Sequence, residues 1–142
     1  RKPDNSTKII PIVRDVVVIE ETYAQSATIN ENGKKLGYIK LPNFYADFND
    51  NGGRSSAADV KKEIEKLKQE NVQGIVLDLR FNGGGSLQDA VEMAGLFIES
   101  GPVVQVRGGQ GAPTILNDRD PRVQYSGPLV VLVNKYSASA SE

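Results

Sequence analysis

Apolar positions along the chain follow two different periods, and the changes from one to the other outline its elements. Between Ser55 and Asn71, Val60, Ile64 and Leu67 are four and three residues apart, which predicts an amphipathic helix. Ser55 or Ser56 can cap it, and the Lys and Glu residues between the apolar positions make a solvated face of favourable close pairs. Leu36–Leu41 alternates instead, with Leu36, Tyr38 and Lys40 on one side and Gly37, Ile39 and Leu41 on the other, so a strand is predicted. Gly74–Leu79 is almost continuously apolar, as a strand buried on both faces would be. A second helix fits Leu87–Ile98, where Leu87, Val91, Ala94 and Ile98 share a stripe, and strands follow at Val103–Val106 and Pro128–Val133. Upstream, Lys8–Val13 and Asp15–Glu20 read as two short strands, or as one interrupted at Pro11. Tyr23–Ile29 is a weaker strand, closed by the turn-like Asn30-Glu31-Asn32-Gly33. Residues 1–7 read as frayed, Asp47–Arg54 as a loop, and residues 107–126, with Gly, Pro and mixed charge, as a surface excursion.

From residue 36 onward the order is strand, helix, strand, helix, strand, strand, and then the start of a helix. Such alternation predicts an α/β fold: a largely parallel sheet with covering helices, and ligands near the carboxyl ends of its strands. At 39% hydrophobic and 25% charged, 142 residues suit one globular domain. A net charge of −1 without a basic stripe argues against a nucleic-acid partner. The apolar runs are strand-sized, too short for a membrane helix. Absence of cysteine removes thiol chemistry and disulfides, and absence of histidine excludes a Ser-His-Asp triad or an HExxH zinc site within these residues. No DxDxDG loop supports a metal, and no cofactor is expected. The opening Arg1-Lys2-Pro3 and the stop at Ser141-Glu142 are expected to be cut ends of a longer protein.

Two segments at strand carboxyl ends carry candidate chemistry. In Leu77-Asp78-Leu79-Arg80-Phe81-Asn82-Gly83-Gly84-Gly85-Ser86, three glycines lead from strand to helix. They form either a plain turn or a loop whose backbone N–H groups face an anion. Neither GxxxxGK[ST] nor GxGxxG is satisfied, so a phosphate loop is not indicated, whereas an oxyanion hole needs only aimed backbone donors. In Ser137-Ala138-Ser139-Ala140-Ser141-Glu142, small residues around Ser139 suit a tight turn that exposes a hydroxyl. Ser139 and Glu142 also have capping-box spacing. The two readings compete for one hydroxyl.

Together these segments, with Gly37-Tyr38-Ile39, Phe44, Gly101-Pro102-Val103-Val104-Gln105-Val106-Arg107 and Gly127-Pro128-Leu129-Val130-Val131-Leu132-Val133, resemble the C-terminal processing (tail-specific) serine peptidases. The likeness runs from about residue 36 to the end. It implies the crotonase- and Clp-like α/β core, with residues 31–142 as the first part of the peptidase core and residues 1–30 as the end of a PDZ module with linker strands. It implies catalysis by a Ser-Lys dyad, a route that needs no histidine. Ser139 would be the nucleophile, and the N–H of Ala140, with that of Gly84 or Gly85, would bind the oxyanion. Glu142 matches an acidic residue that would fix the helix start rather than transfer a proton.

The family's lysine lies downstream of the serine segment, beyond Glu142, so these residues alone are expected to be inactive. Lys135 precedes the turn and reads as a surface group. The family often has Pro where this chain has Gly83, and glycine should widen rather than abolish the turn. The implied partners are protein or peptide substrates with apolar C-termini, and the implied location is the bacterial envelope, in the periplasm. Membrane association is expected only through regions outside these residues. Two other functions stay open: a non-catalytic relative that binds a ligand or partner, and an acyl-thioester enzyme of the crotonase type. The second has no use for the serine run.

Overall fold

The computed structural model describes residues 6–7, 10–11, 19–46, 53–109 and 111–142. In chain order its elements are β1 (Gln25–Glu31), β2 (Lys34–Lys40), α1 (Ser56–Gln69), β3 (Gly74–Asp78), α2 (Leu87–Gly95), β4 (Gly101–Val106), β5 (Thr114–Asp118) and β6 (Leu129–Leu132). Single 3₁₀ turns lie at Glu20–Thr22 and Ser139–Ser141. Asn32 and Gly33 take left-handed backbone, with φ of +50° and +74°, and close a tight hairpin between β1 and β2. β2 then pairs in parallel with β3, and β3 in parallel with β6, giving the sheet order β1-β2-β3-β6.

Alternation along β2 decides which side is covered. Gly37, Ile39 and Leu41 face the helices, in register with Ile75 and Leu77 of β3, and are buried there with Val60, Ile64 and Leu67 of α1. Gly37 is a close-approach position, since a Cβ there would lie 2.7 Å from Leu67 Cδ1. Truncating such a buried leucine costs about 2–5 kcal/mol. Ser26 and Thr28 of β1 donate to Glu63 and Glu70, which ties the hairpin to the same helix.

The two helices are joined at their starts. Ser55 caps α1 by accepting from the Ala58 N–H, and Ser86 caps α2 by accepting from that of Asp89. The buried Asp89 carboxylate in turn accepts from the Ser55 and Ser56 hydroxyls and the Ala57 N–H at 2.9–3.0 Å. A negative charge at a helix N-terminus is favourably placed against the helix dipole.

Two expectations change. The second helix ends at Gly95 rather than Ile98, and Val91, Met93 and Leu96 are buried while Leu87 and Ile98 are each 37% exposed. The Leu96 carbonyl accepts from Gln124 and Tyr125 N–H groups at 2.8 and 3.1 Å, so the chain leaves the helix there. The excursion over residues 107–126 contains β5, which pairs antiparallel with β4 in a separate two-stranded ribbon outside the main sheet. Most of Lys8–Val13, Asp15–Glu20 and the Asp47–Arg54 loop lies outside the described residues.

Candidate active site

β3 and β6 are neighbours in parallel, so the segments that leave their carboxyl ends emerge side by side. The turn out of β3 is set by charge. Arg80 reaches back to both oxygens of the buried Asp78, at 2.7–3.1 Å, and its own N–H donates to Asp78 Oδ1 at 2.9 Å. The Tyr38 hydroxyl donates to Oδ2 from β2. The Arg80 guanidinium therefore holds the Asp78 carboxyl well below the usual carboxylate range, against the opposing effect of burial. Phe81 follows in left-handed backbone at φ +65°, its N–H donating to Asn134 Oδ1 at 3.1 Å.

Asn82 is fully buried. Its side-chain amide donates to the Leu41 carbonyl at 3.0 Å and accepts from the Gly84 N–H at 2.9 Å. Gly84 and Gly85 then take φ of +101° and +137°, a region that side chains disfavour. Their path follows Phe44, whose N–H donates to the Gly84 carbonyl and whose own carbonyl accepts from the Ser86 N–H. A Cβ on Gly85 would lie 2.1 Å from the Phe44 carbonyl oxygen, so glycine is required there by a backbone contact.

The serine segment sits against this loop. Ser137 donates through Oγ to the Leu79 carbonyl at 2.8 Å and accepts from the Asn134 N–H at 3.0 Å. The Asn82 carbonyl accepts from the Ala138 N–H and from the Ser141 hydroxyl, at 3.1 and 3.0 Å. Both outer hydroxyls are thus committed to structure. Ser139 is exposed, takes φ +57°, and its Oγ has no partner among the described residues. Its N–H donates to Glu142 Oε2 at 2.8 Å, the reaching-back half of a capping box. The competition for this hydroxyl is resolved: Ala138 occupies the cap position of the 3₁₀ turn and the Ser139 side chain is left unused.

A Cβ built on Gly84 would lie 2.8 Å from Ser139 Cβ, 2.8 Å from the Ala138 carbonyl oxygen and 3.1 Å from the Ala140 nitrogen. Glycine loop and serine turn are therefore in contact. The Gly84 N–H is engaged by Asn82, whereas those of Gly85 and Ala140 donate to nothing among the described residues. An exposed hydroxyl beside two unspent backbone donors supplies two of the parts that acyl transfer uses, a nucleophile and oxyanion donors, but not the base. The Lys135 Nζ lies 4.9 Å over the Tyr136 ring, which stacks on Phe81, and has no hydrogen bond to the Ser139 hydroxyl. Asn82 and Phe44 carry no charge and no period in the sequence that would mark these roles.

The model of peptidase family S41 matches residues 35–142. The chain belongs to peptidase family S41. Among family members, the tail-specific protease of Haemophilus influenzae is 43% identical over 136 residues, covering 96% of this chain and 18% of that protein. The chloroplastic carboxyl-terminal-processing peptidase 2 of Arabidopsis thaliana is 36% identical over 140 residues, covering 96% of this chain and 26% of its own length. Among solved structures, the photosystem II D1 C-terminal processing protease aligns with a TM-score of 0.66 at 32% identity, over 83% of this chain and 31% of that one. The S41 α/β fold with its mostly parallel sheet is shared, and this chain spans less than a third of each of these relatives.

Proposed function

We propose that the protein containing this chain is a serine endopeptidase that cleaves proteins near their C-termini, with Ser139 as nucleophile and the N–H groups of Gly85 and Ala140 as the oxyanion donors. The observation that carries the reading is the Ser139 hydroxyl, exposed on a left-handed turn, without a partner among the described residues and against the glycine loop. Membership of the S41 family, whose members include tail-specific and carboxyl-terminal-processing enzymes, supports the substrate class. A hydroxyl is a weak nucleophile without a base. In this reading the base is a lysine supplied from beyond Glu142. Gly84 supports the hole by position, and Glu142 holds the turn through the Ser139 N–H.

Recognition of apolar C-termini by a PDZ module ending near residue 30, and a periplasmic location in a bacterial envelope, belong to the same proposal. A non-catalytic binder would have no need for an unengaged serine hydroxyl on a turn packed against the glycine loop. In the complete protein a fluorophosphonate should label Ser139, and Ser139→Ala should abolish both labelling and cleavage of an unfolded substrate with an apolar C-terminus. An adduct on Ser137 or Ser141, or normal turnover by Ser139→Ala, refutes the proposal. The 142-residue chain alone should show no peptidase activity. Cleavage by it that disappears in Ser139→Ala would make Lys135 or a carboxylate the base.

A further inference from the structure

Asn82 touches both halves of the site without pointing into it. Its amide lies between two groups of opposite kind, an N–H from Gly84 and a carbonyl from Leu41, and satisfies both. Only one orientation of that amide works, because reversing it would set donor against donor and acceptor against acceptor. Its backbone carbonyl holds Ala138 and Ser141, the residues that bracket Ser139 and Ala140. One buried residue therefore ties the end of β2, the glycine loop and the serine turn together. The bond to Gly84 also occupies the N–H of that glycine, so of the two glycines with positive φ it is Gly85 whose N–H is unspent among the described residues.

We propose that Asn82 is a positioning residue of the peptidase site, its amide fixing the glycine loop so that the Gly85 N–H is presented opposite the Ser139 turn. This rests on the serine-peptidase reading of Ser139. Removing the amide leaves the Gly84 N–H without its acceptor and lets the loop rotate, so the oxyanion donors lose alignment. The loss falls on the transition state rather than on substrate binding.

The test uses the complete protein and two substitutions. Asn82→Ala should lower kcat by about 100-fold, the scale of a lost oxyanion donor, with KM nearly unchanged. Amide exchange across residues 82–86 should become faster. Asn82→Asp keeps the shape and the acceptor but loses the donor toward Leu41 unless it is protonated, and burial raises the pKa of such a carboxyl. The ratio of its kcat to that of the wild type should therefore rise as pH falls, measured over the pH range in which urea midpoints show both proteins fully folded, so that recovery of a weakened fold does not contribute. Wild-type kcat in Asn82→Ala, or a pH-independent ratio for Asn82→Asp, overturns the proposal. If Asn82→Ala does not fold, the near-isosteric Asn82→Asp decides alone. If wild-type Ser139 takes no fluorophosphonate, the peptidase reading fails, and unchanged exchange over residues 82–86 in the variants separately refutes the role given to Asn82.

Discussion

Alanine at each of the three adjacent glycines should produce three different outcomes, because the surroundings of the three differ. At Gly83 a Cβ would have nothing within 4 Å, so Gly83→Ala should stay within about 0.5 kcal/mol of wild-type stability and keep its kcat. At Gly84 the added carbon meets Ser139 Cβ and the Ala138 oxygen at 2.8 Å, with φ at +101°. The backbone strain costs about 1–3 kcal/mol. The contact can be relieved only by moving the glycine loop and the serine turn apart. Misaligning one oxyanion donor costs about 100–1,000-fold in kcat, so Gly84→Ala should lose activity by that factor while still folding. At Gly85 the clash is with the Phe44 backbone at 2.1 Å, and relieving it breaks the bridge that seats the loop. Gly85→Ala should therefore lose more stability than Gly84→Ala as well as activity. The assay is kcat on an unfolded protein substrate beside urea midpoints for all three variants of the complete protein. Equal kcat for Gly83→Ala and Gly84→Ala would refute the reasoning, since only the second Cβ meets the serine turn.

Ser139→Gly and Ser139→Ala both remove the hydroxyl and should both be inactive, but only glycine accepts φ +57° freely. The glycine variant should be the more stable of the two by about 1 kcal/mol, and equal denaturation midpoints would count against strain at this turn. The Asp78 carboxyl is held below its ordinary range by Arg80, so its contribution is complete above about pH 4 and is lost as pH falls toward its lowered folded value. Asp78→Asn should accordingly destabilise the protein more at pH 7 than at pH 3, and a penalty independent of pH would contradict the pairing.

The parts of the fold legible in the sequence were those with one strong period and a buried face. β2, α1 and β3 fall within about two residues of their expected bounds, because Ile39, Val60, Ile64, Leu67 and Ile75 all point into one core. The second helix was overextended because Ile98 continues the stripe, whereas the chain leaves through the carbonyl of Leu96. β5 was missed because Thr114–Asp118 is short and mostly exposed, with no clear period, and pairs only with β4. At the site, the resemblance pointed to Ser139 and the glycines as a motif. The division of labour between Gly84 and Gly85 was not legible, since it depends on the hydrogen bond that the Gly84 N–H donates to the Asn82 side chain and on a backbone contact with Phe44, residue 44 lying far away along the chain.

The bonds that anchor the serine turn have a consequence for the order of assembly. Ser137 is held by a carbonyl 58 residues earlier, and Ser141 by one 59 residues earlier. Closing such wide loops comes late in folding, because their entropy is lost before any contact is gained. A partly folded chain can therefore have its hairpin and first helix in place while the serine turn is still without shape. Shaping of the serine turn is in this way coupled to docking of β6, and on the peptidase proposal an unfinished molecule would lack a positioned nucleophile until that step.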